Sequence, residues 1–230
     1  MPERIVVWDI DRTIIRSSLE RHFLAYLRRR VDTFSILKTI RNIATLSFRV
    51  PPPAWYQVKL AYLRGFFKAE IEDWFRECFI HDIQPAMYSG ASTAIRKLQI
   101  ENVRQVLLSG TPRPFAEQIA LHFGLSDIIA AEPEFVDARY SGRLLRHHPH
   151  GQFKALYLED WLTERGYGWT QVAALADHYD DRFLLDKAAV AIAVNPSPQL
   201  KRVAVNAGWA IVPDAALPSS LLSVLEKIDR

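Results

Sequence analysis

The first apolar run, Ile5-Val6-Val7-Trp8, is four residues long and runs straight into the acids of IVVWDIDRTII. A short unbroken apolar run that ends on charge predicts a strand buried on both faces. The period then changes. Leu19, Phe23, Leu24 and Leu27 recur at helical spacing, and Ser17 with Glu20 makes a capping-box pattern ahead of them. The spacing predicts a second helix over 33–48 stopped by Pro51-Pro52-Pro53, a third over 54–67 and a fourth from Ala69 to about Ile80. No strand pattern interrupts this block.

From Met87 the pattern alternates between the two periods. Helices are predicted over Met87–Gln99, Pro114–Phe123, Phe153–Arg165 and Pro198–Ala207. Strands are predicted over Arg104–Leu108, Ile128–Ala131, Val172–Ala176, Ala189–Val194 and Trp209–Val212. Gly124 and Gly166 end two of the helices, and Phe135–Leu145 reads as a hairpin turning near Ser141-Gly142. Such alternation predicts an α/β fold, a mostly parallel sheet with helices on both faces. The chain divides into a core of residues 1–16 and 85–230 and a helical insertion over 17–84.

Composition narrows the picture only a little. The 230 residues are 49% hydrophobic, enough for a large core with a small second domain. A net charge of +3 suits an anionic substrate and is too weak to argue for nucleic acid. Cys78 is the single cysteine, which excludes an intrachain disulfide and suits a reducing compartment. Its place in WFRECF predicts a small buried hydrophobe. No run approaches the roughly 18 apolar residues of a membrane span, and no leader pattern precedes Asp9, so a cytoplasmic location is expected. Trp, Tyr and Phe alternate with Lys and Arg in the helical block. That pattern favours an aromatic core of the insertion, with peripheral contact at a membrane as the weaker alternative. Nothing in the pattern bears on oligomeric state.

Candidate chemistry collects at the predicted strand ends. Asp9 and Asp11 stand two apart at the tip of the first strand, on one side of it. Two crowded carboxylates need a shared proton or a cation, and Mg²⁺ takes such ligands. Ser109-Gly110-Thr111 follows a strand and precedes a helix, the setting of a phosphate cradle or of a plain N-cap. Lys154 lies just inside a helix that begins near Gly151. Val172–Ala176 delivers Asp177, with Asp180 and Asp181 one turn later.

The order of these features resembles the haloacid dehalogenase superfamily of phosphohydrolases: strand-DxDxT, strand-SGT, lysine, strand-DxxDD. More narrowly it is similar to the subfamily IB branch related to phosphoserine phosphatase, with a three-layer Rossmann-like core and a helical C1 cap inserted after the first motif. The likeness extends to YSGRLL, to HGQFK around the lysine and to AIAVNPSPQLKRVAVNAGWAIV. It implies a Mg²⁺-dependent phosphatase of small phosphomonoesters. Asp9 would be the nucleophile, forming an aspartyl-phosphate, and Asp11 the general acid and base. Mg²⁺ would be held by the Asp9 and Asp177 side chains and the Asp11 main-chain carbonyl. Asp181 would hold a metal-bound water or steady Lys154. Ser109, the Gly110 N–H and Lys154 would clamp the phosphoryl group, and Thr13 would brace the nucleophile loop. Asp11 argues against dehalogenation, since a halide needs no proton.

Departures from the branch also matter. Arg12 stands where Gly or Ser is usual and offers a guanidinium for a second anionic group or for solvent. Ser18 occupies the position of a glutamate that reads the amine of phosphoserine, and Asp180 that of an asparagine. Arg16 adds a cation near the insertion. His147, His148 and His150 predict an exposed loop near the mouth of the site, with a transition-metal site as the weaker reading. His178 is expected to line the site as a substrate contact. The rival functions are a lipid-phosphate phosphatase at a membrane surface, a phosphotransferase with a non-water acceptor and a non-catalytic binding protein on this core.

Overall fold

Strand β1, Ile5–Trp8, has no exposed residue and lies inside a six-stranded sheet. The computed structural model describes residues 3–30, 35, 37–42, 44 and 61–225. The helices expected over 33–48 and over 54–67 therefore lie partly outside the described residues. Residues 37–42 are helical. β1 pairs in parallel with β2 (Arg104–Pro112) on one side and β6 (Val172–Ala176) on the other. β3 (Asp127–Ala131), β7 (Val190–Val194) and β8 (Ala210–Val212) extend the sheet in the order β3-β2-β1-β6-β7-β8, every pair parallel. β4 (Pro133–Val136) and β5 (Arg139–Leu144) form a separate antiparallel hairpin.

Alternation within β1 assigns its two faces. Val6 and Trp8 join one apolar cluster with α3 (Ser89–Ile100), α4 (Arg113–Phe123) and α8 (Leu217–Leu225). Ile5 and Val7 join another with α5 (Gln152–Glu164), α6 (Arg182–Lys187) and α7 (Pro198–Ala207). The result is the expected three-layer α/β core. α1 (Leu19–Arg30) and α2 (Lys68–Cys78) extend the first cluster through Phe23, Phe75 and Cys78. Phe75 stacks on Phe115 of α4 with centroids 4.7 Å apart. Cys78 is buried as expected, and burial pushes its thiol up to about 12. No helix of the described residues is long and apolar enough to cross a membrane.

Several boundaries differ from the sequence reading, each because a distant group decides the matter. α1 begins at Leu19, and Ser17 does not box it. The Asp11 carboxylate accepts the Leu19 N–H at 2.7 Å, while Ser17 Oγ lies 2.7 Å from His22 Nε2. Ala61–Leu63 is a 3₁₀ turn, because Gly65 N–H donates to Tyr140 O and Tyr140 N–H to Phe66 O, tying this stretch to β5. α3 starts at Ser89. Its free N–H groups at Gly90 and Ala91 are capped by the Asp214 carboxylate from far down the chain. The hairpin turns at Asp137-Ala138, both at positive φ, and not at Ser141-Gly142. Gly142 lies within β5, where a Cβ would stand 3.1 Å from Arg64 Cδ. α8 had no counterpart in the pattern.

Candidate active site

The C-terminal ends of β1, β2 and β6 open into one cleft of about 180 Å³. β1 is the switch point of the sheet, since the chain crosses to β2 on one side and to β6 on the other. That is where an open parallel sheet leaves room for a ligand. Asp9, Asp11, Arg12, Ser109, Gly110, Lys154, Asp177, Asp180 and Asp181 all line it. The structure thus brings together every expected site residue except Thr13. Thr13 is fully buried and does not line the cleft, and its hydroxyl is without a hydrogen-bond partner, so no bracing contact through it is seen.

Each side chain is delivered by its element. Asp9 follows β1, and its N–H continues the ladder to Leu175 O at 3.0 Å. β2 loses register with β3 between Leu108 and Pro112, which turns Ser109-Gly110-Thr111 out of the regular ladder. Ser109 Oγ accepts the Thr111 N–H at 3.2 Å and donates to Thr111 Oγ1 at 3.2 Å. Gly151, at φ +56, starts α5 and places Lys154 in its first turn. Asp177 ends β6, and Asp181 closes the 3₁₀ turn Tyr179–Asp181.

The ammonium of Lys154 lies 2.6 Å from Asp9 Oδ1 and 2.7 Å from Asp181 Oδ1, with all three side chains almost fully buried. Burial alone would favour the neutral amine, but the Asp181 and Asp9 charges outweigh it and keep Lys154 protonated. Asp9, Asp177 and Asp181 present carboxylate oxygens within 4.8 Å of one another. Burial, with the charges of Asp9 and Asp181, pushes Asp177 up to about 8, and Arg12 and Lys154 pull it part of the way back. Burial likewise raises Asp9. Three buried carboxylates against one ammonium are under-neutralised. An all-oxygen donor set of this kind fits a hard divalent cation.

The rim corrects one expectation about the histidines. His148 is buried, not exposed. Its Nε2 lies 2.9 Å from Gly110 O, and a Cβ on Gly110 would meet its Cε1 at 2.3 Å. His147 is the exposed member and stacks on Phe153. His150 Nε2 and His178 Nδ1 each lie 3.1 Å from Asp180 Oδ2. His178 lines the cleft as expected, with Asp180 as its partner. No local signal marked His148 as the wall behind Gly110; the only hint was an imidazole close in sequence to the lysine. Ser18 also lines the cleft.

The model of the haloacid dehalogenase-like hydrolase family matches residues 6–186. A phosphoserine phosphatase of Mycobacterium tuberculosis is 25% identical over 214 residues, which span 89% of this chain and 68% of that protein. A histidinol-phosphatase of Neisseria meningitidis is 24% identical over 222 residues, 91% of this chain and 98% of its own. Among solved structures, a protein of unknown function from Bordetella pertussis superposes with a TM-score of 0.78 at 24% identity. It covers 92% of this chain and 99% of that one.

Proposed function

The chain belongs to the haloacid dehalogenase-like hydrolase family, and we propose that within it the protein hydrolyses small phosphomonoesters through a phosphorylated Asp9. The observation that carries this reading is the buried set of Lys154 between Asp9 and Asp181, with Asp177 beside them, at the switch point of the parallel sheet. The two relatives above, a phosphoserine phosphatase and a histidinol-phosphatase, support the phosphoester class.

In this reading an Asp9 carboxylate oxygen forms the new bond to phosphorus while the ester P–O bond breaks. The leaving oxygen takes its proton from Asp11, whose carboxyl is oriented by the Leu19 N–H. Asp11 then accepts the proton of the water that attacks the phosphoryl group, and inorganic phosphate leaves with Asp9 restored. Ser109 Oγ, the Gly110 N–H and the Lys154 ammonium hold the phosphoryl oxygens where negative charge builds. Asp9 and Asp177, with the Asp11 main-chain carbonyl and Asp181 nearby, would hold Mg²⁺, whose chemistry here is to neutralise the carboxylates and polarise a phosphoryl oxygen. The insertion expected over 17–84 would serve as a cap that excludes bulk water.

The test is phosphate release from a panel that includes phosphoserine and histidinol phosphate, with and without Mg²⁺, wild type beside Asp9→Asn. Mg²⁺-dependent release lost in Asp9→Asn is expected. Full activity in Asp9→Asn would exclude the mechanism.

A further inference from the structure

Arg12 is held in the left-handed region at φ +59. That conformation is strained for a residue with a Cβ, while a glycine adopts it freely. The loop enforces it: Thr13, Ile14 and Ile15 all turn their N–H groups back to Ile10 O. A large cation at a strained position beside a reaction site points to use by a ligand. Arg12 lines the cleft and is exposed at its mouth. Among the described residues its guanidinium has no hydrogen bond, ion pair or ring contact, although its charge is felt at Asp177.

The other cationic or imidazole groups of the cleft are engaged. Lys154 is spanned by Asp9 and Asp181. His150 and His178 face Asp180, and His148 lies against Gly110. The transferred phosphoryl group already has Ser109, Gly110 and Lys154. A rigid fork of N–H donors at the mouth is therefore surplus to it and matches a planar or tetrahedral oxyanion elsewhere on the substrate.

We propose that Arg12 is a second anion clamp, selecting phosphomonoesters whose leaving group carries a further carboxylate or phosphate. This rests on the phosphatase reading and deepens it by naming the substrate class. The clamp sits at the cleft mouth, so it fixes which leaving group is bound and leaves the reacting atoms to Asp9 and Asp11.

The experiment uses matched esters that differ in one anionic group: phosphoglycolate against ethyl phosphate, and ethylene glycol bisphosphate against hydroxyethyl phosphate. Arg12→Gly and Arg12→Asn both tolerate positive φ and are expected to fold. With Mg²⁺, each variant should raise KM for the member of a pair that carries the additional anion at least tenfold more than for its partner, and Arg12→Lys should recover part of the difference. The pair that responds identifies carboxylate or phosphate as the recognised group. Calorimetric binding of the same esters to Asp9→Asn, with and without Arg12→Gly, reads the preference with no turnover. Equal losses on both members, or none on the one with the additional anion, in both measurements would overturn the clamp. If wild type releases no phosphate even from p-nitrophenyl phosphate, yet the Arg12-dependent binding preference is present, the phosphatase reading fails and the clamp stands.

Discussion

Lys154 Nζ stands 2.6 Å from Asp9 Oδ1, and both side chains are almost wholly removed from water. Asp181 closes the arrangement from the other side. Removing one partner of such a set strands buried charge, which costs about 3–5 kcal/mol. Lys154→Met should therefore lower stability by an amount of that order. Adding Asp181→Asn removes one stranded charge and should return part of it. Urea unfolding of the two variants beside wild type checks this. A double variant no more stable than Lys154→Met would mean that the carboxylates do not depend on the lysine.

The raised carboxyl of Asp177 has a consequence for pH. Its ordinary value lies near 4 and its folded value at about 8, so between these the folded chain holds a proton that the unfolded chain has lost. Without metal, stability from this group should fall as pH rises through about 4 to 8 and level off above. Burial raises Asp9 too, which adds in the same direction. A bound Mg²⁺ takes the place of the proton, so its stabilisation should be larger at pH 8 than at pH 6. Thermal unfolding with EDTA and with Mg²⁺ at both values reads this directly. A Mg²⁺ increment that shrinks toward pH 8 would contradict the assignment of Asp177 as a ligand.

Asp11, the proposed general acid, also has a structural contact, because its carboxylate accepts the first N–H of α1. Asn can keep that hydrogen bond through its amide oxygen but carries no proton to give. Asp11→Asn should thus preserve the fold and lose about 10²–10⁴ in kcat/KM on alkyl phosphates, since kcat/KM reports only the steps up to departure of the leaving group. On p-nitrophenyl phosphate, whose leaving group is stable as an anion, the loss in kcat/KM should be much smaller. Comparing kcat/KM on the two substrates checks the general-acid role. An equal loss in kcat/KM on both would place Asp11 in phosphoryl binding or loop structure instead.

The core and the acids were legible because their signals are local. Ile5–Trp8 and Val172–Ala176 are unbroken apolar runs, and each delivers an aspartate at its end. Where a distant residue decides, the sequence misled. The turn at Asp137-Ala138 carries no glycine, whereas Gly142 looked like a turn and instead makes room for Arg64. Ser17 and Glu20 spelled a helix start, but Asp11 caps the helix from across a loop. The histidine loop looked exposed because nothing near His148 in sequence shows that it packs on Gly110 from 38 residues away.

That last contact is itself open to test. The absent side chain of Gly110 leaves the space that His148 fills, since a Cβ there would lie 2.3 Å from Cε1 and 2.8 Å from Nε2 of a buried ring. A buried imidazole held against Gly110 O cannot retreat without losing that contact. Gly110→Ala should therefore destabilise the protein by about 1–3 kcal/mol, the usual cost of overpacking. It should also depress kcat/KM by displacing the N–H proposed to hold the phosphoryl group. With His148→Ala added, the methyl group gains room. The two changes should then couple favourably by about 0.5–3 kcal/mol in a double-mutant cycle. Chemical denaturation of the four proteins measures the coupling. Simple additivity would show that the strand near Ser109 yields to the methyl group and that His148 is not what demands glycine at this position.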